Sequence, residues 1–107
     1  MISIDVCAMR QRTYRQLVSK LTEEQCVRLG DLRSKIVGKV NEAVYTGKWS
    51  VEDIRVDNFE LLQIIIAELQ MKGFKAWYVS RHEPVELHDG VIRNYYYLLD
   101  IKWALEN

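Results

Sequence analysis

Proline occurs once in 107 residues and glycine five times, which leaves no room for a flexible linker or a proline-rich segment. The two cysteines, Cys7 and Cys26, are too few for a disulfide scaffold. If 4–20 and 22–45 are two helices turning near Leu21, the two thiols stand roughly 13 Å apart along the axes, beyond disulfide reach. They are expected to be reduced and to act as packing atoms. No apolar run has bilayer length, because Glu60, Gln63, Glu68 and Gln70 break the richest stretch, 59–71. The N-terminus lacks a basic segment followed by an apolar one, so no secretory signal is read there. These absences point to a soluble, cytoplasmic protein away from membranes. A phosphate-binding glycine loop, a nucleophile elbow and a Cys-x-x-Cys pair are also missing, so the sequence offers no catalytic signature and implies no cofactor. Net charge is absent too: fifteen basic residues balance fifteen acidic ones.

What is present is ordinary globular composition, 49% hydrophobic and 28% charged, in a length that fits one domain with one core. The zero charge hides an asymmetry. Residues 1–50 carry nine Lys or Arg against five Asp or Glu, a net of +4, and residues 51–107 carry six against ten, a net of −4. The chain is a basic half joined to an acidic one.

Ser3 or Asp5 is placed to cap a first helix running to about Lys20, with Tyr14, Leu17, Val18 and Leu21 on one face. Thr22-Glu23-Glu24-Gln25 reads as a capping box. It opens a second helix to about Tyr45 whose stripe is Leu29, Leu32, Ile36, Val40, Ala43 and Val44. Gly30, Ser34 and Gly38 lie at i, i+4, i+8 on that helix, either as tolerated surface positions or as a place for close backbone approach. Thr46-Gly47 ends it. Lys48 to Val56 reads as a strand with Ser50, Glu52, Ile54 and Val56 on one face and Trp49, Val51 and Asp53 on the other. Asp57 or Asn58 caps a third helix, apolar over so much of its circumference that cover on two sides is expected, and Gly73-Phe74 stops it in a Schellman motif.

The last third alternates as strand on both sides of Asp89-Gly90. A turn centred on that pair sets Tyr78 opposite Ile101, Ala76 opposite Trp103 and Trp77 opposite Lys102. Phe74, Ala76, Tyr78, Tyr95, Tyr97, Leu99, Ile101 and Trp103 then share an apolar face. Lys75, Trp77, Val79, Arg81, Tyr96, Leu98, Asp100 and Lys102 share a mixed one. Pro84 lacks an amide proton, so a bulge or longer loop is expected between His82 and Asn94. The result is an α+β, two-layer domain of order α-α-β-α-β-β: a helical hairpin over 1–46 and a β-α-β-β unit over 47–107. Its helices pack on a small three-stranded sheet with a C-terminal β-hairpin. The strand–helix–strand crossover favours a parallel pair and hence a mixed sheet.

Three surfaces invite a functional reading. On the mixed sheet face, Trp77, Val79, Tyr96 and Leu98 with Arg81 and Lys102 are residue types enriched where proteins meet, and Trp77 opposite Lys102 would form a cation–π pair. The same face is equally suited to cover by the first two helices. If it is open, a protein partner or a second copy is expected there, and an exposed edge strand or the long second helix also suits a homodimer. On the first helix, Arg10, Arg12, Arg15 and Lys20 suit phosphate contacts, which makes nucleic acid the second choice of partner. In the 82–89 segment, His82 and His88 stand among carboxylates as candidate metal ligands, which makes a small metal-dependent enzyme the third reading, although their spacing matches no zinc motif. Asp53, Asp57 and Glu60 lie near a helix start, where the dipole alone accounts for negative charge.

From Ile36 to Trp103, about two-thirds of the chain, the layout resembles small proteins of tailed bacteriophages. The matching features are a helix ending Ala43-Val44-x-x-Gly47, a short strand, a helix ending Leu69-x-x-x-Gly73-Phe74, and a strand pair closing in Tyr97-Leu98-Leu99-Asp100-Ile101-x-Trp103. The resemblance is one of apolar positions and transfers no active-site residue. It implies a viral accessory protein that acts in the host cytoplasm by binding a host protein.

Overall fold

A computed structural model describes residues 5–104. The order is α1 (Val6–Ser19), α2 (Glu23–Tyr45), β1 (Ser50–Val56), α3 (Phe59–Met71), β2 (Lys75–Leu87) and β3 (Gly90–Lys102). Each helix starts on the type of side chain that can satisfy its first free amides. Asp5 accepts from the amides of Cys7 and Ala8, at 3.0 and 3.3 Å; Ser3, the other candidate, lies outside the described residues. At α2 the Thr22 hydroxyl accepts from the Gln25 amide at 3.2 Å, and the Gln25 side chain accepts from the Thr22 amide at 3.0 Å, the reciprocal pair of a capping box. Asn58, rather than Asp57, caps α3 by accepting from the Leu61 amide at 3.2 Å. The stop of α3 has both Schellman bonds, Phe74 N–H to the Leu69 carbonyl and Gly73 N–H to that of Gln70. Gly73 has φ 93°, which a side chain would strain.

The sheet is antiparallel throughout, in the order β1-β3-β2. This corrects the expectation of a mixed sheet. β1 and β2 do share a direction, as the crossover requires, but β3 inserts between them and pairs with both. Residues Ile54, Val56, Leu62, Ile64, Leu99 and Ile101 form the centre of the core. α3 packs over β2 and β3, α1 packs on α3, and α2 packs on β1 and α3. Leu61, Leu62, Ile64 and Ile65 are all buried, in keeping with cover on two sides. Val44 closes the predicted α2 stripe but is exposed. Both cysteines are free and exposed rather than packed.

The strands depart from expectation at three places, each with a local cause. First, β1 shifts register between Val51 and Ile54. The bulge lets Val51, opposite Ile101, share the inner face with Ile54, opposite Leu99, where strict alternation had put them on opposite sides. Asp53 takes φ 59° there, and its amide donates to Asp100 Oδ1 at 2.9 Å. Second, the hairpin turns at His88-Asp89, with Leu87 opposite Gly90. Among the described non-glycine residues only Asp53 has positive φ, so neither turn residue does; Gly90, at φ 149°, takes the strained position as the first residue of β3. The glycine follows the turn instead of occupying it. Every partner therefore moves by two: Tyr78 faces Leu99, Ala76 faces Ile101 and Trp77 faces Asp100. A shift of two keeps each side chain on its predicted face.

Third, β2 and β3 pair without interruption through Pro84, which faces Arg93, so the expected bulge or loop between His82 and Asn94 is absent. In an antiparallel ladder alternate residues turn their amides to the neighbour. Counted back from the tight turn at Leu87, Pro84 falls among those that turn outward. β2 is an edge strand, so the missing donor costs the ladder nothing.

β1 ends opposite Tyr97, and β3 from Gly90 to Tyr96 has a neighbour only in β2. The hairpin therefore projects as a two-stranded arm about 20 Å long. The radius of gyration is 16.5 Å, against about 13 Å for a compact chain of this length.

Candidate interaction surface

Side chains of all three helices join one core cluster with Ile54, Val56, Ala76, Leu99 and Ile101 of the inner sheet face, which leaves the mixed face open. Trp77 and Val79 on β2 are 44% and 39% exposed. Val79 faces Leu98, Arg81 faces Tyr96, and Lys75 faces Lys102. The six residues singled out from sequence, Trp77, Val79, Arg81, Tyr96, Leu98 and Lys102, thus share one open surface. An uncovered antiparallel face normally alternates to polar side chains. Here it carries a tryptophan, a tyrosine and two aliphatic residues, and it continues along the arm as the exposed Ile92 and Leu87.

Arg55, not singled out from sequence, organises this face. Its guanidinium lies 4.2 Å from the centre of the Tyr96 ring. It donates to Asp57 and Glu83, each at 3.0 Å. Hydrogen bonds to Asp57 and then Glu83 hold its pKa above the ordinary range, so it stays charged. One side chain therefore straps β1 across β3 to β2 where the third strand ends. This is the cation–π contact found, in place of the expected one between Trp77 and Lys102. The available signal was parity: with Ile54 and Val56 inward, Arg55 must point outward. Replacing Arg55 with alanine is expected to speed amide hydrogen exchange along the arm, 81–96, and to leave α3 unchanged; equal protection in both proteins would refute the strap.

The inner face also extends past its helical cover. Phe59, Tyr78 and Tyr97 pack edge to face or tilted, with centroids 5.2–5.8 Å apart. Beyond them His82 lies 5.7 Å from Tyr95, which is 52% exposed.

The other candidate residues do not converge. Arg10, Arg12, Arg15 and Lys20 are all exposed, but at 3.6 residues per turn Arg12 and Arg15 stand about 200° and 140° round the axis from Arg10. They encircle α1 instead of lining one stripe. His82 is on a strand and His88 in the turn, about 20 Å apart along an extended ribbon. Among the described residues no group of three or more His, Cys, Asp or Glu is placed to hold a metal ion. Asp57 is occupied by Arg55, and Glu60 accepts from Gln25 Nε2 at 3.1 Å. Nothing lies near a side chain built on Gly30 or Gly38, so these are open surface positions.

Two of the clefts among the described residues stand beside charged side chains. One, about 500 Å³, lies between the end of α2 and β1, beside Lys39, Glu42, Lys48 and Glu52. The other, about 460 Å³, runs between α2 and α3 and holds Tyr14, Arg33 and Glu68. Arg33 donates to both oxygens of Glu68 and to the Tyr14 hydroxyl, and Tyr14 donates to Glu68. Burial pushes the Glu68 carboxyl up, but the hydrogen bonds from Arg33 and Tyr14, with the charges of Arg33 and Lys72, outweigh it and hold the pKa below its ordinary value. Burial and the Glu68 hydrogen bond push the Tyr14 hydroxyl up. The trio is a saturated pin joining three helices, and its carboxylate is engaged at both oxygens.

No family model, curated protein or solved structure matches the chain. No helix among the described residues is long and apolar enough to cross a membrane.

Proposed function

We propose that the chain is a non-enzymatic binding protein that recognises another protein through the open face of its sheet, and that it does so as a homodimer. This is the accessory role that the resemblance to phage proteins implies, with a host protein as the partner. The observation that carries the reading is the aromatic and aliphatic surface formed by the exposed Trp77 and Val79 beside the half-buried Tyr96 and Leu98, on a face with no helix over it. Large aromatic residues with a nearby arginine are the composition of interface centres. The surface lies beside Arg81 and Lys102, as such centres lie within a polar rim.

The test is affinity capture from host lysate with three proteins: the unmodified chain, Trp77→Ala, and Arg12→Glu as a control away from the face. A protein retained by the unmodified chain and by Arg12→Glu, and weakened at least tenfold by Trp77→Ala, supports the reading. Capture that ignores Trp77→Ala counts against it. So does capture that disappears on nuclease treatment or with Arg12→Glu, which would favour nucleic acid on α1.

A further inference from the structure

Among the described residues, the outer edge of β2 is the longest strand edge with no strand beside it. β2 is thirteen residues long, is the last strand of the sheet, and makes its contacts with α3 on one face and β3 on one side. Its residues from Trp77 to His82 are exposed. Such an edge templates further strand pairing, and proteins usually blunt it with charge, proline or a bulge. Here Pro84 blunts only the distal end. From Lys75 to Glu83 the edge is regular, and it carries Trp77, Tyr78 and Val79.

The other edges are poorly suited to pairing with themselves. β1 is broken by the bulge at Asp53. Two-fold pairing of the free side of β3, Val91 with Tyr95, would set Arg93 against its own copy.

We propose that β2 is the seam of a two-fold homodimer, pairing antiparallel with β2 of a second copy about an axis through Val79. This rests on the homodimer reading above and places its interface. The register follows from parity and charge. Counted from the turn, Ala76, Tyr78, Ser80 and His82 turn their amides outward, so these must face one another across the seam. With Val79 on the axis, Tyr78 meets Ser80 and Ala76 meets His82. On the open face Trp77 meets Arg81, a cation–π pair, and Lys75 meets Glu83, opposite charges. Sliding the centre one residue toward Lys75 would set Lys75 against Arg81. Sliding it one residue the other way would bring Pro84 into the ladder against Ala76. Of these three registers only the one centred on Val79 avoids both, and an axis nearer Lys75 would shorten the paired stretch to 75–79.

The arrangement also deepens the proposed function. A two-fold axis normal to the sheet keeps both open faces on the same side. The result is a six-stranded sheet, β1-β3-β2 doubled, with Trp77 and Val79 of both copies at its middle. One broad face would then meet the partner.

The experiment uses the full chain with Cys7→Ser and Cys26→Ser, so that an introduced cysteine is the only thiol. Light scattering after gel filtration should give twice the chain mass. Val79→Cys should cross-link under mild oxidation, because directly opposed residues of a non-hydrogen-bonded pair lie within disulfide reach. Trp77→Cys, which would face Arg81 instead of itself, should not. Ser80→Pro should give the single-chain mass with an unchanged circular dichroism spectrum, since its amide points outward as that of Pro84 does; if this variant does not fold, the cysteine pair decides. Single-chain mass for the parent overturns both the seam and the homodimer reading, whereas binding lost on Trp77→Ala would still uphold the open face. A dimer in which Val79→Cys fails to cross-link, or in which Trp77→Cys cross-links as well, overturns the seam alone.

Discussion

Leu99→Ala is expected to cost about 3 kcal/mol, the largest loss among the substitutions considered, and to lower the melting temperature by roughly 10–20 °C. Leu99 is fully buried on the central strand. It faces Ile54 on one side and Tyr78 on the other, beneath α3. β3 is paired on both sides there, so the backbone cannot collapse to fill the space a shorter side chain leaves. That places the substitution in the middle of the usual range for Leu→Ala. A domain of this size has about 5–15 kcal/mol in total, so the variant should fold yet melt early in thermal or urea denaturation. The contrast with Trp77→Ala is informative. Trp77 lies on the open face and its removal should change stability by about 0.5 kcal/mol or less while removing partner binding. If Leu99→Ala costs under about 1 kcal/mol, or if Trp77→Ala matches it, the division between buried and open faces is wrong.

Which residues share a face was legible from alternation alone. Both faces of the hairpin are as the sequence implies, because an error of two in register preserves parity. The caps at Asp5, Thr22 and Asn58 and the stop at Gly73-Phe74 were legible for a related reason: each is a local bargain between one side chain, or one glycine, and amides a few residues away. The sheet order was not. Whether β3 adds outside β2 or slips between β2 and β1 depends on what covers β1's edge, and no local pattern reports that. The turn centre was misread because Gly90 supplies its positive φ just after the turn. The bulge at Asp53 was hidden because its stabilising acceptor, Asp100, lies far along the chain. Of the site, the six face residues were legible and their exposure was not, since composition cannot say where helices α1 and α2 will pack. Arg55 shows the same limit, because two of its three contacts, Glu83 and Tyr96, come from β2 and β3, far along the chain.

The Glu68 pin yields the second large effect. Its side chain is 19% exposed, whereas that of Arg33 is 44% exposed. Fully buried pairs lose about 3–5 kcal/mol when one partner is removed, and exposed pairs about 0–1 kcal/mol. Glu68→Ala should therefore fall between, at about 2 kcal/mol, because it strands the Arg33 charge and leaves the Tyr14 hydroxyl without its acceptor. The pH dependence has a definite sign. The folded carboxyl has its pKa lowered from an unfolded value near 4.5. Its contribution is present in full above that unfolded value and is lost as pH falls through the lower folded one. Stability measured by denaturation from neutral pH downward should fall more steeply for the unmodified chain than for Glu68→Gln, and the two curves should converge in acid. Removing the whole trio by Tyr14→Phe, Arg33→Leu and Glu68→Leu should restore most of the loss at neutral pH, since apolar side chains of similar size need no partner. Parallel acid curves, or a triple replacement no more stable than Glu68→Ala, would show that the three helices are held by their apolar contacts alone.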